Sequence, residues 1–257
     1  MMLAHDLAGS GPALLLVHAG IADRRMWDDQ VGPFADAGWT VIRADLPGFN
    51  ETPLPGAPVA LWATLRDLLD HLGVERAAVA GASLGGRAAV DLALAAPERV
   101  RALVLVGSGL AGHRFAEPAL FELWDQSEGA LERGDHEEAA RVEIDSWVVG
   151  MDRDPGAVAP EIHRRVREML LAAYAQGVAD LEEPDPPAAT RLREVAVPTL
   201  VVVGEHDRPD IHAMAAALVG GITGAEQVVL PGTGHLPNME QPAAFNRVVL
   251  EFLGRAV

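Results

Sequence analysis

The chain has 257 residues, 49% hydrophobic and 22% charged, which is ample apolar material for one core and leaves no compositional case for disorder. Its formal net charge is −17, and all 20 basic residues are arginine, so nucleic acid and anionic membranes are disfavoured as partners and Schiff-base chemistry on lysine is excluded. With no cysteine there is no disulfide framework, no thiolate zinc site and no cysteine nucleophile.

The first nine residues, Met1 to Gly9, hold no basic segment leading into a long apolar one. No apolar run approaches the ~18 residues of a membrane span, so a cytoplasmic protein is expected. Six short apolar runs then punctuate the chain: Ala13 to Val17, Thr40 to Ile42, Ala77 to Ala80, Ala102 to Val106, Thr199 to Val203 and Gln227 to Leu230. They are near-continuous rather than alternating, the pattern of strands buried on both faces of a parallel sheet. The stretches between them read as helices. Leu61, Leu65, Leu68, Leu69 and Leu72 share one helical face, as do Phe245, Val248, Val249 and Phe252. This alternation predicts an α/β fold, a mostly parallel central sheet flanked by helices.

The rhythm breaks after Gly112 and resumes near Thr190. The interval has helix-like stretches such as Ala130 to Val149 and no comparable strand run, and it ends in the breakers Glu183-Pro184-Asp185-Pro186-Pro187. A helical cap over residues 112–190 is expected, inserted between core segments 1–111 and 191–257. It carries Trp124, Trp147, Phe115, Phe121, Met151 and Tyr174, side chains that suit either a pocket wall or a helical core.

The strand at Ala77 to Ala80 runs directly into Gly81-Ala82-Ser83-Leu84-Gly85-Gly86, and a helical stretch, Arg87 to Ala96, follows. A serine presented for attack must stand on a turn so sharp that only glycines fit two before and two after it. With five serines and 26 glycines in the chain, on the order of 0.05 such matches arise by chance. A phosphate-binding turn would need G-x-G-x-x-G or a P-loop lysine, and the chain has neither.

A serine hydroxyl needs a base, and His235 stands in Pro231-Gly232-Thr233-Gly234-His235, just after the last strand run. The base needs a carboxylate to fix its tautomer, and Asp207 in Gly204-Glu205-His206-Asp207 is the first choice, with Glu205 a rival and Asp45 a distant one. The order Ser83, Asp207, His235 is that of one hydrolase architecture and not of others. An oxyanion then calls for aimed backbone N–H groups: Leu84, next to the nucleophile, and Gly20 in His18-Ala19-Gly20 after the first strand run. His18 is expected to brace that loop. The remaining histidines of strand and helical stretches, His5, His71, His113, His136, His163 and His212, read as structural or solvated.

Together, His18-Ala19-Gly20, Asp45-Leu46-Pro47-Gly48, the turn at Ser83 and the pair Gly204-Glu205-His206-Asp207 and Gly234-His235 resemble the α/β-hydrolase superfamily over nearly the whole chain. Their order and spacing are similar to those of small capped bacterial members such as 3-oxoadipate enol-lactonases. Family members usually carry glycine where Ala19 stands. The resemblance implies a cofactor-free, metal-free serine hydrolase. The same scaffold hosts esterases, lactonases, carbon-carbon hydrolases, perhydrolases and ligand sensors, so function must be argued from the site.

The leading expectation is hydrolysis of a small carboxylic ester or lactone through an acyl-enzyme on Ser83. Carbon-carbon cleavage in a vinylogous diketone, perhydrolysis and a non-catalytic ligand sensor are the alternatives. A metal site is the last, because Glu205, His206, Asp207, Asp210 and His212 crowd together without H-E-x-x-H spacing. The residues leave monomer and homodimer equally open.

Overall fold

The computed structural model describes residues 1–177 and 179–256. Each of the six apolar runs is a strand, and the central ones, runs of Val, Leu and Ala, are covered on both sides. A seventh precedes them. In chain order the strands are β1 (His5–Ala8), β2 (Ala13–Val17), β3 (Thr40–Ala44), β4 (Ala77–Ala82), β5 (Val100–Val106), β6 (Thr199–Gly204) and β7 (Glu226–Leu230). They form one sheet in the order β1-β3-β2-β4-β5-β6-β7, parallel throughout apart from β1, which runs against β3.

The α-helices are α1 (Asp28–Asp36), α2 (Leu61–His71), α3 (Leu84–Ala95), α4 (Pro118–Glu132), α5 (His136–Glu143), α6 (Pro160–Tyr174), α7 (Pro209–Gly221), α8 (Pro237–Glu240) and α9 (Pro242–Ala256). Every residue of β2, β4 and β6 is buried, whereas the edge strands β1 and β7 are largely open, so only the central strands lost their alternation. Helix α1 packs with α9, and α2 with α3. The burying faces follow from sequence: Leu61, Leu65, Leu68 and Leu69 on α2, and Phe245, Val249, Phe252 and Leu253 on α9. Between β5 and β6 the described residues add no strand to the sheet and build α4, α5 and α6, and Leu181 makes a sheet-like bridge to Val59. Among the described residues no helix is long and apolar enough to cross a membrane.

The register brings the strand ends together. Val17 lies beside Gly81, Ala82 beside Val106, Val106 beside Val202 and Gly204 beside Leu230. The loops leaving β2, β4, β5, β6 and β7 therefore meet at one edge of the sheet, the carboxyl edge, where open α/β sheets bind their ligands.

Candidate active site

Strand β4 ends in a turn that holds Ser83 at φ 49° and ψ −111°, a conformation that L-residues avoid. Three hydrogen bonds fix it: Ser83 N–H donates to Val106 O (2.9 Å), and Ser83 O accepts from Gly109 N (3.0 Å) and Arg87 N (3.0 Å). Glycine at 85 is a packing demand, since a Cβ there would lie 2.6 Å from the His18 carbonyl oxygen. Ser83 stays half-buried at the mouth of the turn. Leu84 opens α3, so its N–H has no partner within the helix and sits at the positive end of the helix dipole.

The Gly20 loop lies alongside. A Cβ on Gly20 would stand 3.6 Å from the Leu84 side chain, so the two candidate oxyanion donors are neighbours. His18 braces this loop from beneath: its Nε2 accepts the Leu46 N–H (2.8 Å) and its Nδ1–H donates to Ala19 O (2.8 Å). Burial holds the His18 pKa below its ordinary value, against the Ala19 hydrogen bond and the Asp45 and Asp23 charges that pull it up. A neutral ring is what the accepting Nε2 requires. Gly85 N–H donates to His18 O (3.1 Å), strapping this loop to the serine turn.

Asp207 and His235 come together from the loops after β6 and β7. His235 Nδ1 is 2.9 Å from Asp207 Oδ2 and 3.0 Å from Oδ1, and both side chains are buried. A carboxylate at Nδ1 places the proton there and leaves Nε2 as the acceptor, the form a general base needs. The rival carboxylates are committed elsewhere. Glu205 is exposed and accepts the Gly232 N–H (2.8 Å), while Asp45 is buried under Arg24, Asn50 and the Glu51 amide. His206 and Asp210 are engaged likewise: His206 meets Met151 O, and Asp210 accepts from His113 Nε2 and the Ala116 and Glu117 amides. Among the described residues no group of three or more His, Asp or Glu is arranged to hold a metal ion.

Two further residues crowd the Asp207–His235 pair, Gly107, which the sequence reading did not name, and Trp147, which it placed among side chains suiting a pocket wall or a helical core. Gly107, at the end of β5, has φ +47°, and a Cβ on it would stand 3.0 Å from His235 Nδ1 and 3.1 Å from Asp207 Oδ2. Its signal was available, since a glycine follows the strand run Ala102 to Val106 directly, but its partners lie far along the chain. Trp147 packs its indole on the His235 ring with centroids 4.7 Å apart. Trp124 turns the other way, edge-on to Phe115 and Phe121.

A cavity of about 220 Å³ opens beside Gly20 and Leu84. Pro47, Phe49 and Leu61 line it from the core side, and Ala173, Tyr174, Gly177, Ala179 and Leu181 from α6 and the chain beyond. Among the described residues its wall carries no charged side chain, and Tyr174 is the one lining residue with a polar side-chain group.

The chain matches a family model described as the alpha/beta hydrolase family over residues 14–248. It is 31% identical to a 2-hydroxy-6-oxononadienedioate/2-hydroxy-6-oxononatrienedioate hydrolase of Burkholderia vietnamiensis, covering 98% of this chain and 90% of that one. It is 27% identical to a 2-hydroxy-6-oxo-6-phenylhexa-2,4-dienoate hydrolase of Comamonas testosteroni, over 98% and 91%. Among solved structures, a thermophilic esterase from Thermogutta terrifontis superposes with a TM-score of 0.83 at 29% identity, covering 99% of this chain and 93% of that one.

Proposed function

Because the chain belongs to the α/β-hydrolase family, and is a hydrolase like its relatives, we propose that it cleaves a small carbonyl compound with Ser83 as nucleophile and His235 as base. Asp207 holds the base, and the Leu84 and Gly20 amides receive the oxyanion. The observation that carries this reading is the buried Asp207–His235 pair, whose Nδ1 contact frees Nε2, at the same sheet edge as the strained serine. Residues 112–190 act as the cap, their α6 end closing the cavity over Gly20 and Leu84.

The substrate class follows from the relatives' chemistry. A 2-hydroxy-6-oxo-dienoate holds a ketone, an enol and a carboxylate but no ester, so the bond that water opens in it is carbon to carbon. Carbon-carbon hydrolysis of such a diketone is therefore the leading reading here, ahead of the ester or lactone cleavage that the motifs alone suggested. The enol first tautomerises to a ketone, its hydroxyl proton moving to the chain carbon beside the 6-oxo carbon, and Ser83 Oγ then adds to the 6-oxo carbon as its proton passes to His235. Collapse breaks the carbon-carbon bond, and the departing dienolate takes the proton from His235. Water, deprotonated by His235, then releases the acyl group from Ser83 as a carboxylic acid, so one water is consumed and two products leave. Ester hydrolysis needs the same steps from the addition of Ser83 onward, with an alkoxide leaving, and the likeness to the esterase favours it as the second reading.

The uncharged cavity wall favours an apolar end group over a second carboxylate. The phenyl-substituted dienoate is expected to turn over with a kcat/KM about tenfold or more above that of the dioate. Equal or reversed preference would sink this view of the pocket. The primary test is fluorophosphonate labelling with peptide mapping, alongside turnover of the phenyl dienoate and a nitrophenyl ester. Labelling at Ser83 that His235→Ala abolishes is the expected result, and labelling elsewhere overturns the assignment.

A further inference from the structure

One turn of the chain between β5 and β6 packs against both the acid loop and the base loop. Residues Ile144–Val149 extend α5 as a π-helix, a rare geometry found often at functional sites. Two carbonyls of this segment, and one amide just beyond it, bond to other elements. Ser146 O accepts from Arg208 Nη1 (3.1 Å), Trp147 O accepts the His235 N–H (3.3 Å), and Met151 N–H, just beyond, donates to His206 O (2.8 Å). Both carbonyls belong to the last turn, where a helix leaves its carbonyls without partners of its own.

The side chains repeat the pattern. The Trp147 indole lies over the His235 imidazole at 4.7 Å with the planes tilted 40°, and the Arg208 guanidinium carbon stands 6.0 Å from the indole. Arg208 follows Asp207 in sequence, its N–H donates to Asp207 Oδ1 (2.8 Å), and its buried guanidinium is paired with the nearly buried Glu117 ahead of α4. Acid, base and indole are thus joined in one packed unit.

We infer that Trp147 is a positioning residue for His235, holding the imidazole through ring face and carbonyl and favouring the imidazolium that forms when Ser83 gives up its proton. The face of an indole attracts a cation, and a desolvated one strongly. Arg208, locked by Glu117 and Ser146, keeps the indole in place. This inference rests on the hydrolytic reading above. The charged groups around His235 are Asp207 on the β6 loop, the Arg208–Glu117 pair beyond Trp147, and the buried Arg153–Glu240 pair whose Glu240 accepts the Gly234 N–H. Glu143 on α5 lies beside Trp147, and Gly107 presents only backbone from the β5 side.

The experiment measures kcat and KM against pH for Trp147→Leu, Trp147→Phe, Arg208→Met and Arg208→Lys, with fluorophosphonate labelling of the parent protein as the first arm. Trp147→Leu should lower kcat about tenfold with KM moved far less, and the acid limb of kcat/KM should shift about half a pH unit downward, because the imidazolium has lost its partner. Trp147→Phe keeps a ring face and should restore most of both. Arg208→Met should reproduce part of the Leu effect, and Arg208→Lys less of it, so the inference is still tested if Trp147→Leu fails to fold. A rate lowered evenly at every pH, with the limb in place, overturns the positioning role. An unlabelled parent protein overturns the triad reading itself, and the inference with it.

Discussion

Gly107 shows how much a single backbone position can decide. It lies under the contact between His235 and Asp207, so an added methyl cannot avoid that contact: it would meet both His235 Nδ1 and Asp207 Oδ2 near 3 Å, at a φ of +47° that alanine resists. Gly107→Ala is expected to lower kcat by about a hundredfold while costing only ~1 kcal/mol of stability, since displacement by a fraction of an ångström disables a base long before it unfolds a sheet. Steady-state kinetics beside urea unfolding check this; a variant with parent-like kcat would show that the pair tolerates the shift. The residues proposed to carry out the chemistry were easier to read. Ser83, Asp207 and His235 each sit in a glycine-marked loop after a strand run, and sequence alone nominates them because the chemistry demands those types in that order. Gly107 and Trp147 lie against residues remote in sequence, and a local pattern does not say which partners a glycine or a tryptophan will meet.

Among the elements, the central strands were legible because burial on both faces erases alternation, as Leu14, Leu15 and Leu16 in β2 illustrate. Edge strand β1 was nearly invisible, since four residues of mixed exposure have no pattern to show. The π-helix was invisible altogether: Ile144 to Val149 reads as the end of an ordinary amphipathic helix, and only its docking against Arg208 and His235 distinguishes it. The attachment of α4 was hidden for a similar reason. Asp210, in the first turn of α7, accepts the Ala116 N–H and the Glu117 N–H (both 3.0 Å) and His113 Nε2 (3.1 Å), satisfying amides just ahead of α4 from a different element. Burial alone would raise the Asp210 pKa, but these hydrogen bonds outweigh it and hold the carboxyl below its ordinary range. The stability it confers is thus complete above the ordinary carboxylate pKa and is lost as pH falls through the lower folded value. Asp210→Ala strands two amides and should cost about 1–3 kcal/mol at neutral pH. Hydrogen exchange should report faster opening at Ala116 and Glu117 than in β4. Unchanged protection there would mean that other contacts hold the start of α4.

At the scale of the whole molecule, two buried groups pull stability in opposite directions with pH. His18 is kept neutral, so its contribution is complete above the ordinary histidine pKa of 6.5 and drains away as pH falls below it. Asp91, on α3 behind the serine turn, is the reverse case. Burial raises its pKa from 3.8 to about 6, with Glu183 adding to the rise and Arg87 and Arg191 opposing it. Among the described residues its Oδ1 has no hydrogen-bond partner, and Arg87 Nε is 3.9 Å from Oδ2 with its Nη2 committed to Glu183. The folded state therefore binds more protons than the unfolded chain between pH 3.8 and 6, and stability falls across that window as pH rises. Above it, one of the negative charges that make up the −17 is buried and poorly paired. Asp91→Asn removes that charge while keeping the shape. It should stabilise the fold by roughly 1–3 kcal/mol at pH 8 and by nothing at pH 3, where both residues are neutral. His18 cannot mimic this signature, because it is neutral in both folded and unfolded states at the pH where the gain appears. Urea unfolding of parent and variant at the two pH values decides the matter: an equal gain at both would trace the effect to packing, and a loss at pH 8 would mean that Arg87 and Arg191 outweigh the cost of burying Asp91.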